Sequence, residues 1–390
     1  MTAGTVRAFG RTIFDLAEAK PRHSLPFLPQ SLVQDDEIVC ALRGGSSIAA
    51  FSLADGTTRW EAQIKGTSRQ MTIDGGEVFV ATEEALVSFG VRDGARRILW
   101  SAGEVDRFAV SREAVAVRLA SGDVQMLGRD GRARARVARS SGERLANGVD
   151  HLLPGDGEVA AVMLEAMERE FHLRGLDAAG GVAWSRTLEH SEMLSREAAS
   201  GLYYFLNFEQ AGRGNLLFTS HWSTFRRPAS QVVRVCDGAK VVDVEHHVSA
   251  LVERSDGSLA GLLAVDQVKA QLVYFAADAP AAMRWTTRAP SSTHRRADAC
   301  LTPEGLLVAQ YDAILPGARL VLLTADDGLT RWQAEVLERP PFERTPLFVN
   351  AWSVTAAGNR VVLVGDESAG TSAQVFDLAD GRRLWADLAV

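Results

Sequence analysis

The hydrophobic pattern of the chain consists mainly of short apolar runs separated by small polar turns. Glu77 to Thr82 and Ala85 to Phe89 are β-rich runs joined by a short polar turn, and Ala114 to Leu119 and Arg360 to Val364 repeat the theme. The best candidate for an amphipathic helix, Thr12 to Lys20, lies near the N-terminus. The pattern therefore predicts an all-β fold.

Three segments share one form, which we call the tag. Phe51 to Trp60, Leu323 to Trp332 and Val375 to Trp385 each contain an apolar strand, an Asp-Gly turn and a strand with Trp four residues after the Gly. Asp-Gly tolerates positive φ, which suits a tight turn between adjacent antiparallel strands. The Trp supplies a large ring at one fixed place in each repeat.

Weaker copies of the tag fill the interval between these segments. The positions equivalent to the Gly of the turn are 56, 94, 131, 180, 238, 281, 328 and 381, an average of roughly 46 residues apart. This spacing is typical of four-stranded propeller blades. The sequence predicts a β-propeller of eight blades, or seven if the degenerate unit around Gly238 or Ala281 is absorbed by a neighbour. We expect the repeated Trp residues to pack between blades: Trp60, Trp100, Trp184, Trp285, Trp332 and Trp385.

Asp377 through Trp385 fits the form Asp-x-x-x-Gly-x-x-x-Trp in full and resembles the repeat of the pyrroloquinoline-quinone (PQQ)-type β-propellers. The other units match the Gly-x-x-x-Trp half or less, and Ser52 and Thr324 stand where the family has Asp. The resemblance covers about residues 31 to 390 and implies architecture. The family includes quinone-dependent dehydrogenases and non-catalytic members that bind proteins, such as the outer-membrane assembly lipoprotein. We place this chain in the non-catalytic branch.

Length and charge narrow the range of functions. The 390 residues are 46% apolar with a net charge of −7, enough for a sizeable core. We predict a single propeller over residues 31–390, preceded by an extension, residues 1–30, that is a candidate ring-closing strand. The acidic balance disfavours nucleic-acid binding, which needs a basic footprint. The Arg-rich run Arg132, Arg134, Arg136 and Arg139 is interpreted as a solvated face.

The sequence also predicts the cellular compartment of the protein. Residues 1–19 contain no apolar stretch of signal-peptide length, and no run approaches a membrane span. Cys40, Cys236 and Cys300 are odd in number and far apart, which excludes a disulfide framework. Cys40 and Cys236 are expected to be small buried hydrophobes. These features predict a cytoplasmic protein without membrane insertion, and the preference for Arg over Lys suggests a bacterial source.

No motif for catalysis or metal binding stands out. The chain lacks Gly-x-Ser-x-Gly, Cys-x-x-Cys and His-Glu-x-x-His. His246 and His247 are adjacent on a predicted strand, so their rings point to opposite faces. We therefore expect a non-enzymatic protein with no cofactor and no metal.

The fifth unit departs from the repeat by its length and by aromatic residues outside the tag. Aromatic residues with Arg are typical anchors of protein interfaces. The alternative is an insertion that merely packs. The candidate partner surface comprises Trp222, Phe225, Arg226 and Arg227, with Phe342 in a second connector.

The predicted function is a non-catalytic protein-interaction scaffold, a subunit of a larger bacterial assembly with a protein partner. The alternative is a funnel that binds a small ligand or quinone, as in a sensor or a dehydrogenase-like protein.

Overall fold

The fold was obtained as a computed structural model. It describes residues 6–9, 11–27, 29–141, 150–167, 170–189, 206–211, 214–220, 230–244, 247–253, 259–264, 270–275, 283–288, 295–302, 304–312, 318–324, 329–337, 351–367 and 370–387. The statements below concern these residues.

The first four sheets each contain four consecutive antiparallel strands. We call them blades 1 to 4 in chain order. Blade 1 contains β4 (Ser31–Gln34), β5 (Ile38–Arg43), β6 (Ser47–Ser52) and β7 (Thr58–Gln63); blade 2 contains β8 (Ser68–Asp74), β9 (Glu77–Thr82), β10 (Leu86–Gly90) and β11 (Arg96–Trp100); blade 3 contains β12 (Val105–Val110), β13 (Ala114–Leu119), β14 (Val124–Gly128) and β15 (Ala133–Val137); blade 4 contains β16 (His151–Pro154), β17 (Val159–Ala166), β18 (Glu170–Asp177) and β19 (Val182–Glu189).

Four further sheets repeat this order and are blades 5 to 8. Blade 5 contains β20 (Leu206–Ala211), β21 (Asn215–Ser220), β22 (Ser230–Arg234) and β23 (Lys240–Val244); blade 6 contains β24 (His247–Glu253), β25 (Leu259–Ala264), β26 (Ala270–Phe275) and β27 (Met283–Arg288); blade 7 contains β28 (Arg295–Thr302), β29 (Gly305–Asp312), β30 (Arg319–Thr324) and β31 (Thr330–Glu335); blade 8 contains β32 (Ala351–Ala357), β33 (Arg360–Glu367), β34 (Gly370–Asp377) and β35 (Arg383–Asp387).

Every predicted tag falls between the third and fourth strand of one blade. Gly56, for example, follows β6, and Gly381 follows β34. Both have positive φ, 70° and 73°, which only Gly adopts without strain. The preceding Asp secures the turn, since the Asp55 carboxylate accepts the backbone N–H of Thr57. The prediction of an all-β fold of four-stranded propeller blades is confirmed, and the described residues form eight of them.

The chain divides into two compact units. Unit 1 comprises Met1–Ser24, Leu217–Gln231 and Val241–Val390, and unit 2 comprises Leu25–Leu216 and Val232–Lys240. Unit 2 therefore contains blades 1 to 4, and unit 1 contains blades 6 to 8. The prediction of one domain over residues 31–390 stays a prediction.

The N-terminal segment contains three strands and includes the best helix candidate of the sequence. β1 (Val6–Phe9), β2 (Thr12–Asp15) and β3 (Lys20–Ser24) form a three-stranded sheet of their own. Thr12 to Lys20, the best helix candidate in the sequence, is not helical, because the Asp15 carboxylate accepts the N–H groups of Ala17 and Glu18 and the chain turns between β2 and β3. A ring-closing role for residues 1–30 stays a prediction.

Burial separates the middle strands of a blade from its outer strand. In blade 1, β6 is buried along its whole length, whereas β7 alternates between exposed and half-buried positions. Cys40 lies in the buried strand β5 as predicted, and burial raises the pKa of its thiol to about 12. The prediction for Cys236 is wrong. This residue is exposed because β22 ends at Arg234 and the chain turns there, with the Arg234 N–H donating to the Ala239 carbonyl.

Candidate functional site

At three of the described blade junctions, the tag Trp joins one blade to the next through a hydrogen bond and a ring contact. In unit 2, the Trp60 indole N–H of blade 1 donates to the Val91 carbonyl of blade 2 at 2.8 Å. The same ring lies against the next tag turn, where a Cβ on Gly94 would come within 2.8 Å of it. Gly94 therefore allows the positive φ of its turn and also leaves room for the Trp60 ring of the preceding blade.

The same pair of contacts recurs at two other blade junctions. The Trp184 indole donates to the Val235 carbonyl at 2.8 Å, and a Cβ on Gly238 would lie 2.5 Å from its ring. In unit 1, the Trp332 indole donates to the Leu378 carbonyl at 2.8 Å. A Cβ on Gly381 would lie 2.5 Å from the Trp332 ring. These Trp residues are thus fully used in holding blades together.

Two junctions replace the Trp contact. At blade 2, Leu99 and not Trp100 faces the next tag turn, 3.2 Å from a Cβ on Gly131. The Trp100 indole N–H is buried and meets no acceptor among the described residues. At blade 3, Ala135 stands at the Trp position, and the neighbouring Arg134 donates to the Ala178 carbonyl at 3.1 Å. Arg134 thereby supplies the donor that the missing indole would have supplied.

The last tag Trp has a different neighbour. The Trp385 ring lies 4.6 Å from the Phe14 ring, centroid to centroid, within unit 1. Phe14 and Leu16 of the N-terminal sheet share a core cluster with Val362 and Val375 of blade 8. The backbone of Trp285 lies in β27, and its side chain is outside the described residues.

A buried ion network joins blades 3 and 4 on the side of the molecule where β13 ends and β16 begins. Arg118 of β13 donates to the Asp150 carboxylate at 2.9 Å, and it also pairs with Asp106 at 3.1 Å. The side chains of Arg118 and Asp150 are 7% and 2% exposed. A carboxylate so deeply buried needs a fixed cation, and Arg118 supplies it.

Glu165 of β17 is the second anion of this network. Its carboxylate, 1% exposed, accepts the backbone N–H and the hydroxyl of Ser140, both at 2.7 Å. Arg174 of β18 donates to it at 3.0 Å, and Arg139 lies between Glu165 and Asp150, at 4.0 Å and 3.5 Å. Glu165 and Asp150 therefore secure the connector between blades 3 and 4 on both sides of residues 142–149, which lie outside the described residues.

The electrostatics at the edge of this network are positive. The pKa of His151, the first residue of β16, is held below its usual value by burial and then by the charges of Arg107 and Arg118. Asp150 and Asp106 oppose this effect to a smaller extent. The His151 ring is thus kept neutral near pH 7.

The network consists of ion pairs whose charges cancel, which suits it to hold the two blades together. Three arginines, Arg118, Arg139 and Arg174, face three carboxylates, Asp106, Asp150 and Glu165, so that their charges balance. Sequence reasoning missed it and treated Arg139 as part of a solvated face, which is wrong because that side chain is only 15% exposed. Arg132 and Arg136 of the same run are exposed as predicted. No signal in the sequence pairs Arg118 with a carboxylate 32 residues away.

The described residues do not include the predicted partner surface. Trp222, Phe225, Arg226, Arg227 and Phe342 all lie outside the described residues, and their role stays a prediction. Among the residues that are described, no group of three or more His, Cys, Asp or Glu side chains is arranged to hold a metal ion. Within the same residues, no helix has the length and apolar character to cross a bilayer.

Comparison with known proteins bears on the fold and the repeat. Solved structures with similar folds include BamB from Moraxella catarrhalis, with a TM-score of 0.53 and 13% identity over 88% of this chain and 95% of that one. A structure titled as the eukaryotic initiation factor has a TM-score of 0.66 and 9% identity over 99% and 96% of the two chains.

A third similar structure is the dihydro-heme d1 dehydrogenase NirN in complex with DHE, with a TM-score of 0.55 and 13% identity over 93% of this chain and 75% of that one. At these identities the likeness shows the fold alone. No curated protein matches the sequence. Residues 15–149 match the family model described as outer membrane protein assembly factor BamB, and over this segment the chain is therefore similar to that family.

Proposed function

We propose that the protein is a non-catalytic protein-interaction scaffold and a cytoplasmic subunit of a larger bacterial assembly. The observation that carries the proposal is the anchoring of the connector between blades 3 and 4. Ser140 and Asp150, on either side of residues 142–149, are both held by buried charges. A rigid scaffold that holds the ends of its loops is suited to presenting those loops to a partner.

The junctions between blades support the same proposal. The Trp–Gly contacts and the Arg134 contact fasten blades through side chains that have no exposed reactive group. The exposed free thiol of Cys236 fits a reducing compartment. The BamB-like repeat over residues 15–149 adds fold-level support, because the matching family is named for an assembly factor.

The proposal also assigns specific residues to the partner surface. We assign it to Trp222, Phe225, Arg226 and Arg227 of the fifth unit, with Phe342 of the second connector as a further anchor. Aromatic and Arg side chains are the residues that most often dominate binding energy at protein interfaces.

Affinity capture of the tagged protein from its native host, with quantitative mass spectrometry, tests the proposal. We expect one protein recovered at a fixed ratio to the bait. A parallel arm adds pyrroloquinoline quinone with calcium and records absorption and alcohol oxidation. Quinone-dependent turnover, or a bait recovered without any fixed-ratio partner, would contradict the scaffold and favour the ligand-binding funnel.

A further inference from the structure

The outer edge of blade 4 differs from the outer edges of blades 1 to 3. β19 is the last strand of its sheet, so one side of its backbone has no neighbouring strand. It has eight residues, whereas β7 has six and β11 and β15 have five each. An open edge of this kind is a template for pairing with another strand unless the protein guards it, commonly with charged side chains.

The outer strands of blades 1 to 3 carry such guards. Their exposed charged residues are Arg59 and Glu61 in β7, Arg96 in β11, and Arg134 and Arg136 in β15. A second strand added at one of these edges would remove water from those charges, which is costly when no partner of opposite charge is present. These three edges therefore resist pairing.

The charge of β19 is turned away from its open edge. Arg186 is half-buried and donates to the Gly238 carbonyl of blade 5 at 2.9 Å. The exposed side chains between residues 182 and 188 are all uncharged: Val182, Ala183, Ser185 and Thr187. Over these described side chains, the edge of blade 4 lacks the guard that the other three edges have.

The backbone of β19 presents free hydrogen-bonding groups at this edge. The Asp177 N–H donates to the Gly181 carbonyl at 2.9 Å, and bonded and non-bonded pairs alternate along an antiparallel ladder. After the bulge at the start of β19, Arg186 is therefore bonded to β18, and the N–H and C=O groups of Ser185 and Thr187 point outward. Within the part of the chain that the structure describes, these outward groups have no acceptor or donor.

We propose that β19 pairs antiparallel with β19 of a second copy of this chain, about a two-fold axis at Ser185. The two copies of blade 4 then form one continuous sheet. In this register Ser185 lies opposite Ser185 of the second copy and Thr187 lies opposite Ala183, so that outward backbone groups meet. Trp184 lies opposite Arg186, and an aromatic ring beside a cation is a favourable cross-strand pair.

The charges of the strand favour a second copy as the occupant. Self-pairing about Ser185 brings no like charges together between Val182 and Leu188. A register centred on Arg186 would place two arginines directly opposite each other, which is destabilising. A two-fold contact is also closed, because both copies use the same edge and both open edges disappear. This association depends neither on the partner surface in the fifth unit nor on the scaffold proposal.

Charge exchange at the axis tests the proposal. Ser185→Glu and Ser185→Lys each place like charges opposite each other, and each should weaken the self-association of the full chain about tenfold or more. An equimolar mixture of the two variants should restore the dimer, because opposite charges then meet at the axis. Analytical ultracentrifugation over a dilution series measures the dimer fraction, and a fluorescent label on one variant identifies the mixed dimer.

The matched controls are Gln63→Glu and Gln63→Lys, which make the same changes at an exposed position of β7. Both should dimerise like the wild type, and all four variants should keep its circular dichroism. A wild type that is monomeric at every concentration overturns the proposal. So do Ser185 variants that dimerise like the wild type, or a mixture of the two that stays monomeric.

Discussion

At the scale of single residues, the contribution of a tag Trp indole N–H to the free energy of unfolding can be measured by comparison. Trp100 is the reference, because its indole N–H has no acceptor among the described residues. Trp184→Phe removes the donor to the Val235 carbonyl and keeps most of the ring. We expect a loss of about 1 kcal/mol in the free energy of unfolding, measured by urea titration with circular dichroism. Trp100→Phe is the control, because the Trp100 indole has no acceptor in the described residues. Equal losses in the two variants would show that the hydrogen bond contributes nothing.

Glu165 provides a second prediction at this scale. Glu165→Ala leaves the guanidinium of Arg174 and the Ser140 hydroxyl without their buried acceptor. Removing one partner of a buried ion pair costs about 3 to 5 kcal/mol. Glu158→Ala, an exposed carboxylate in the same blade, should change the stability by no more than about 0.5 kcal/mol. Comparable losses would mean that the network is solvated.

The pH dependence of stability follows from His151. Its pKa is lower in the folded protein than in the unfolded chain, so the unfolded chain binds the proton more readily. The contribution of His151 is therefore complete above the unfolded pKa of about 6.5 and is lost as the pH falls below that value. Urea midpoints measured between pH 7.5 and pH 5 should fall less in His151→Gln than in the wild type. An identical slope in the two proteins would exclude this role.

At the scale of elements, the tag Gly has two roles: it allows the positive φ of the turn, and it leaves space for the Trp ring of the preceding blade. Gly157 and Gly238 both have positive φ, 62° and 68°, but only Gly238 lies against a Trp ring. A Cβ on Gly157 would meet nothing within 4 Å, so Gly157→Ala carries backbone strain alone, roughly 1 kcal/mol. Gly238→Ala should lose a further 1 to 3 kcal/mol or so, because its methyl group overpacks the Trp184 ring. Similar losses of unfolding free energy in the two variants, measured with urea, would show that the site of Gly238 accommodates a methyl group beside the Trp184 ring.

Element-level prediction from sequence succeeded where the signal was local. The eight tag positions, six of which are Asp-Gly, located the fourth strand of every blade because the residues that form a tight turn are encoded within a few positions of the sequence. The helix candidate Thr12 to Lys20 is not helical because the turn-forming role of Asp15 competes with the apolar periodicity. Trp100 was grouped with the other tag residues, but the extra residues of that turn bring Leu99 to the blade junction instead.

At the scale of the whole molecule, the blade pattern was predictable and the ion network was not. Arg118 and Glu165 belong to strands of different blades and Asp150 precedes β16, and only the stacking of blade 3 on blade 4 brings the three together. Each of these residues looks like an ordinary strand or loop residue in the sequence. A repeat reveals how a chain is built, whereas a charge network depends on register across two sheets.

The scaffold account makes its most direct claim about the fifth unit. A Trp222→Ala, Phe225→Ala double variant removes the two proposed anchors. An Ile98→Ala, Val182→Ala double variant removes two exposed apolar side chains from outer strands and serves as the control. Both variants should keep the circular dichroism of the wild type.

The decisive measurement is the ratio of partner to bait recovered by quantitative capture with these two variants and the wild type. The account predicts a fixed ratio for the wild type and the control, and a loss of at least about tenfold for the Trp222→Ala, Phe225→Ala variant. Equal recovery with all three proteins would place the interface elsewhere. Recovery of no partner by a folded wild type would contradict the scaffold function itself.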